Sequence, residues 1–348
     1  MYFGSDNTGP VLPQVMQALN DANTGYTGSY GADPIMDRVR DKVREIFEAP
    51  EAAVYLVATG TAANVLALSC YCPPTHTIFC APKAHIHVDE CNGPEFYTNG
   101  AKLTLVGDQD KITPDTLRTA VEGEGNRGVH GPQRGPLSIT QATEMGQIYT
   151  LSEIAALTEV TKSFGIPVHM DGARFANALV ALNASPADMT WRAGVDVLSF
   201  GGTKNGCMGV EAVVMFNPDK AWEFELRRKR GAHLFSKHRY LSAQMDAYLT
   251  DDLWLTTARQ ANANMARLAD GLRKIDSVSF RFDPQVNMAF VDMPRAVLQR
   301  LAAQGAVFHA DTPDLSSGAA EDQITTRLVS DWSMSEDNID RFLTIAAG

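Results

Sequence analysis

The chain has 348 residues, 45% hydrophobic and 20% charged, enough to bury a large core in what reads as two domains. Its net charge of −11 argues against a general role on nucleic acid or anionic membrane, and no apolar stretch approaches the length of a membrane span. The odd set of cysteines, Cys70, Cys72, Cys80, Cys91 and Cys207, argues against a secreted disulfide framework, and Ser5-Asp6-Asn7 interrupts any signal-peptide pattern, so a cytoplasmic location is expected.

Gly4 to Pro10 is polar and turn-rich and reads as an arm. A short helix is predicted from about Pro13 to Asn20, then a loop from Asn23 to Gly31 whose glycines, threonines and tyrosines suggest a loop with a partner. Asp33 is a predicted N-cap with Pro34 at the first helical position, and Ile35, Val39, Val43, Ile46 and Phe47 share one face. A strand over Val54–Ala58 runs into Thr59-Gly60-Thr61-Ala62-Ala63-Asn64, which opens a helix. Small residues at a helix start expose backbone N–H groups and suit a phosphate.

Strands over Thr77–Cys80, Leu103–Val106 and Leu137–Thr140 then alternate with helices over Thr113–Glu122 and Leu151–Phe164. The second of these helices has a capping box, Thr150 with Glu153, and Gly165 at its end. Ile166, Val168 and Met170 alternate into Asp171, and Val195, Val197, Leu198 and Phe200 lead to Gly201. This alternation predicts an α/β fold with a mainly parallel sheet covered by helices on both faces. A long amphipathic helix from about Leu253 to Ile275 leads into a smaller α+β unit. There, strands over Val286–Val291, Val307–His309 and Thr326–Ser330 accompany helices over Arg295–Ala303 and Asp337–Ala346. The expected division is an arm and large domain over 1–248 and a small domain over 249–348.

Ligands of such sheets sit at the carboxyl ends of the strands. Asp171 and Lys204 are predicted there, 33 positions apart (204 − 171). Alone, Asp171 could cap a turn and Lys204 could be a surface lysine. Together at the mouths of buried strands they are costly unless they act, and pyridoxal 5′-phosphate chemistry uses this pair. The lysine bonds to the cofactor's aldehyde carbon and the carboxylate keeps its ring nitrogen protonated. His85-x-His87-x-Asp89-Glu90-Cys91 could put two imidazoles on one strand face, but the spacing does not match a closed zinc site, and no metal is expected. The basic run Arg227 to Arg230 has the look of a localisation signal. A solvated helix face or a role near the cofactor phosphate is the preferred reading.

Several strings, in order, resemble the low-specificity L-threonine aldolases, in the branch that includes phenylserine aldolases. They are Ser5-Asp6-Asn7, Tyr30-Gly31-Ala32-Asp33, Gly60 to Asn64, Ala84-His85, Thr140 to Glu144, His169-Met170-Asp171-Gly172-Ala173-Arg174-Phe175, Phe200 to Gly206 and Thr326-Arg327-Leu328. Glu144 stands where many such aldolases carry histidine, which narrows the subgroup.

The resemblance implies the pyridoxal-phosphate-dependent transferase fold type I, with a seven-stranded-type sheet. It further implies cleavage of L-threonine, L-allo-threonine or phenylserine to glycine and an aldehyde, with strictness at Cα and tolerance at Cβ. It assigns Lys204 to the cofactor bond, Asp171 to the ring nitrogen, His85 to the ring face and the β-hydroxyl proton, and Gly60 and Thr61 to the phosphate. Ser5, Arg174 and Arg327 would hold the substrate carboxylate, with Arg174 close to the cofactor as well. Lys237 would add charge to the cofactor phosphate across a subunit interface, and Tyr30 would reach a neighbouring subunit's substrate site, in a homodimer or homotetramer. The alternatives are a β-eliminating lyase or an aminotransferase of the same fold.

Overall fold

In the computed structural model, which describes residues 1–312 and 314–348, seven short apolar runs form one sheet. They are β1 (Ala53–Val57), β2 (His76–Cys80), β3 (Lys102–Leu105), β4 (Gln133–Thr140), β5 (Val168–Gly172), β6 (Val197–Gly201) and β7 (Glu211–Met215). The order across the sheet is β1-β7-β6-β5-β4-β2-β3. Strands β3, β2, β4, β5 and β6 pair in parallel, and β7 runs antiparallel to both β6 and β1. The expected mainly parallel sheet is therefore present, with β7 as an antiparallel strand that the sequence reading did not separate. Only residues 202–210 connect β6 to β7, too short a link for a parallel crossover.

Residue alternation sorts the strands onto two cores. Tyr55, Val57, Val197, Val213 and Met215 pack under the helix Gly60–Tyr71. Leu56, Leu198, Phe200, Ala212 and Val214 face the other way. There they meet apolar faces of the helices Pro34–Ile46, Phe175–Leu182 and Arg239–Tyr248. Burial on both faces is why these strands read as nearly continuous apolar runs.

A second, antiparallel sheet has the order β10-β11-β9-β8, from β8 (Ser279–Phe280), β9 (Met288–Pro294), β10 (His309–Ala310) and β11 (Gln323–Val329). The helix Leu253–Leu272 spans the two parts. Trp254 and Ala258 lie in the first core, and Met265, Leu268 and Leu272 in the second. Phe3 is also in the second core. Its N–H donates to the Val307 carbonyl at 2.7 Å, and the Val329 N–H donates to its carbonyl at 2.9 Å. The first residues of the arm thus pack with the 249–348 part, because that is where the Phe3 ring finds burial.

Two local expectations change. His85 and His87 lie on a helical turn, His85–Val88, so the two imidazoles do not share a strand face. No cluster of metal-ligating side chains occurs among the described residues. In the basic run, Arg228 is only 6% exposed. Its guanidinium lies 5.0 Å from the Tyr55 ring centroid and donates to the Leu56 carbonyl at 3.3 Å, so that residue packs against the strand instead of facing solvent.

Candidate active site

The strands deliver their carboxyl ends to one cleft of about 250 Å³. β5 ends in Asp171-Gly172. β6 ends in Gly201, and a tight turn, Thr203–Asn205, presents Lys204. These strand ends approach so closely that a Cβ at Gly201 would collide with the Ala173 carbonyl oxygen. The Asn205 amide pins the turn from below, donating to the Tyr248 hydroxyl at 2.7 Å and the Trp254 carbonyl at 2.8 Å. Asp171 and Lys204 both line the cleft.

Asp171 is 4% exposed. Its Oδ1 accepts the Ala173 N–H at 3.0 Å and its Oδ2 accepts the Asn64 amide at 2.8 Å. No cation lies within salt-bridge range of it among the described residues. A buried carboxylate held by neutral donors and facing a cavity fits a cationic ring nitrogen.

The same Asn64 amide nitrogen donates to Glu90 Oε1 at 2.9 Å, and His85 Nδ1 donates to that oxygen at 2.8 Å. The Glu90 side chain is fully buried, and burial pushes its carboxyl upward. The Glu90 hydrogen bond raises the His85 imidazole against the opposing effect of burial. A chain of hydrogen bonds therefore runs from Asp171 through Asn64 and Glu90 to His85. With Nδ1 engaged, the lone pair on Nε2 remains for the cleft.

At the start of the helix Gly60–Tyr71, the Thr59 hydroxyl accepts the Ala62 N–H at 3.2 Å. The N–H groups of Gly60 and Thr61 precede the first intrahelical bond and stay available. Nothing lies within 4 Å of a Cβ built on Gly60, so an anion can approach these donors closely.

Two arginines mark a second end of the site. Arg174 is 7% exposed, and its Nε and Nη2 donate to the two carboxylate oxygens of Asp6 at 2.7 and 2.9 Å. One edge of the guanidinium is thus taken, and Nη1 has no recorded partner among the described residues. Arg327, on β11, donates through Nη2 to the Gly4 carbonyl at 3.2 Å, while its buried Nε has no partner. Burial and the neighbouring Arg174 charge both push the Arg327 guanidinium down. Two cations at close quarters, one with an orphaned donor, fit a carboxylate ligand. The Ser5 hydroxyl accepts the Asn7 N–H at 3.1 Å beside them, and Asn7 lines the cleft.

The expected residues Gly60, Thr61, His85, Asp171 and Lys204 come together in the cleft lining. Ser5, Arg174 and Arg327 are not among the lining residues, and neither are Tyr30 and Lys237. Tyr30 is 48% exposed with φ 59°, its N–H donates to the Ser236 carbonyl at 3.1 Å, and Lys237 is exposed one residue further on. The sequence reading gave no role to Asn64, Glu90, Glu144, Thr203 or Glu211. Asn64 and Glu144 sat inside motif strings, and Glu90 lies five positions after His85, just past the helical turn His85–Val88. Glu211 carried no local signal.

The Beta-eliminating lyase family model matches residues 3–295. The low specificity L-threonine aldolase of Pseudomonas aeruginosa is 39% identical over 308 residues, 88% of each chain. Among solved structures, a Leishmania major threonine aldolase superposes with a TM-score of 0.91 at 22% identity, covering 99% of this chain and 98% of that one. A Sphingomonas wittichii serine palmitoyltransferase superposes at 0.71 and 17%, covering 100% and 86%. These two structures share the α/β fold with its mostly parallel seven-stranded sheet.

Proposed function

Since the chain belongs to the beta-eliminating lyase family, in the branch of the low-specificity L-threonine aldolases, we propose that it is a pyridoxal 5′-phosphate-dependent carbon–carbon lyase. It cleaves L-threonine, L-allo-threonine or related L-β-hydroxy-α-amino acids, phenylserine included, to glycine and an aldehyde. The observation that carries this reading is the cleft shared by Asp171, Lys204 and the open helix start at Gly60 and Thr61.

Pyridoxal phosphate, when bound, supplies an electron sink for the bond broken at the substrate's α-carbon. Lys204 would hold it covalently, Asp171 at the ring nitrogen, Gly60 and Thr61 at the phosphate, and His85 over the ring face. Arg174 Nη1 and Arg327 Nε, with Ser5, receive the substrate carboxylate and fix which hand of the α-carbon fits. His85 Nε2 accepts the β-hydroxyl proton as the aldehyde carbonyl forms, an effect of about 10²–10⁴-fold. Acting directly or through water, this base tolerates two hydroxyl positions, so weak discrimination at Cβ is expected.

Tyr30, with Lys229 stacked 5.0 Å from its ring, and Lys237 are surface groups of this chain. We assign them to a neighbouring subunit's site in a homodimer or homotetramer. No helix is long and apolar enough to cross a membrane among the described residues, and a cytoplasmic location is part of this proposal.

The test is product analysis on the four threonine isomers and L-phenylserine, with and without chelator. Glycine plus aldehyde from L isomers supports the reading. Ammonia plus a keto acid would favour β-elimination, and cleavage confined to D isomers would overturn the assignment.

A further inference from the structure

Glu211 opens β7, and its register partners are Gly201 on β6 and Val57 on β1. Its backbone therefore lies between the strand end that leads to Lys204 and the one that leads to Thr59-Gly60-Thr61. The residue is 7% exposed, and it lines the same cleft as Lys204 and Asp171. Its Oε2 accepts the Gly202 N–H at 2.8 Å, and the Thr203 hydroxyl, which accepts the Val210 N–H at 3.2 Å, also draws its carboxyl down. Glu211 thus clasps the two residues before Lys204, and Asn205 ties the residue after it to Tyr248 and Trp254.

A neutral side chain could close the same turn. A carboxylate in the middle of a sheet is costly to bury unless its charge is used. Burial, with Asp171 adding to the rise, outweighs the Thr203 and Gly202 hydrogen bonds and the Lys204 charge and leaves the Glu211 carboxyl raised to about 7. Its packed neighbours Cys207 and Tyr248 are both raised well above their ordinary values and stay neutral. Lys204 also acts on Asp6 and Glu144 across the cleft, where His85 and Arg174 supply positive charge.

We propose that Glu211 is a positioning residue for Lys204, its carboxyl fixing the turn that aims the lysine nitrogen and placing a negative charge in the cleft beside it. This rests on Lys204 being the cofactor's lysine. The strand ends that lead to the phosphate-side turn and to the lysine-side turn then both pair with the backbone of this one residue.

The experiment follows the absorbance of the lysine–cofactor bond against pH in the holoenzyme. Glu211→Gln keeps the size and can still accept the Gly202 N–H, so the thermal midpoint and bound cofactor should change little. The apparent pKa of the chromophore should fall by roughly one unit, the lower end expected for loss of an opposite charge nearby. Thr203→Val, which removes a hydrogen bond and keeps the charge, should leave the chromophore close to wild type. If Glu211→Gln folds poorly, Glu211→Asp should show a smaller fall in the same direction. An unchanged chromophore pKa in either Glu211 variant, or an equal fall in Thr203→Val, overturns the proposal. Borohydride reduction and peptide mapping of the wild type separate the two readings. A label on Lys204 with no Glu211 effect removes this inference alone, and a label on another lysine removes both.

Discussion

Asp6 belongs to the arm, yet it is 5% exposed. Burial raises its carboxyl, and the Arg174 and Lys204 charges with bonds from Arg174 and Asn287 more than offset that, so its pKa lies below 3.8. Its contribution is present above the unfolded value and is lost as pH falls through the lowered one. Removing one partner of such a pair leaves a buried charge. Asp6→Asn should therefore lower unfolding free energy by about 3–5 kcal/mol and raise KM for the amino acid. An unchanged denaturation midpoint would count against the pair as a structural tie.

His169, on β5, sits between the hydroxyls of Ser138 at 2.9 Å and Ser199 at 3.0 Å, and burial pushes it down to about 4. The unfolded chain binds that proton first, so stability should decline as pH drops from about 6.5 toward 4. In denaturant titrations across that window, His169→Asn should show a shallower decline, and a slope equal to wild type would speak against it. Asp171 and Lys204 were legible in the sequence because each stands at the end of an apolar strand, Asp171 within β5 and Lys204 three residues past β6. Glu90 and Glu211 were not, since their partners, Asn64 and His85 for one and Gly202 and Thr203 for the other, are set by helix and sheet geometry rather than by a motif.

At the scale of elements, the turn that presents Lys204 is only as rigid as what lies under it. Phe200, the next-to-last residue of β6, packs against Phe47, Phe175, Tyr248 and Trp254 with centroids 5.5 to 6.1 Å away. Phe200→Ala should cost about 3–5 kcal/mol and also weaken cofactor retention, because the cavity opens directly below Gly201. Full cofactor retention with that loss of stability would show the turn to be held by Asn205 and Glu211 alone. Helices with strong end signals were readable from the chain. Thr150 with Glu153 and Gly165 bound the helix Leu151–Phe164 as expected. The helix Phe175–Leu182 was not, because it is apolar nearly all round and so shows little amphipathic period. β7 was missed for a related reason, being a short apolar run close behind the Lys204 loop.

At the scale of the whole molecule, the end of the site proposed to take the substrate carboxylate is assembled from distant parts of the chain. Asp6 comes from the arm, Arg174 from the loop after β5 and Arg327 from the second sheet. Tyr30 and Lys237 lie outside this chain's own cleft, and the sequence suggested as much only through family resemblance. If they serve a neighbouring subunit, mixing Lys204→Ala chains with Tyr30→Phe chains should restore part of the activity lost in each. No recovery after confirmed subunit exchange would argue for self-contained sites.

The helix Leu253–Leu272 gives this layout a fixed scale. Its first turn supports the Lys204 turn through the Trp254 carbonyl. Further along, Ala261 accepts the Ser330 hydroxyl at 2.8 Å, just beyond the strand that carries Arg327. A straight 20-residue helix is roughly 30 Å long and hard to stretch. On the proposed reading it works as a gauge block between the turn that would hold the cofactor and the strand whose arginine would hold the substrate carboxylate. A substrate with one extra carbon between its amino group and its carboxylate would then have to bend a rod, not just displace a loop, to be measured as a fit.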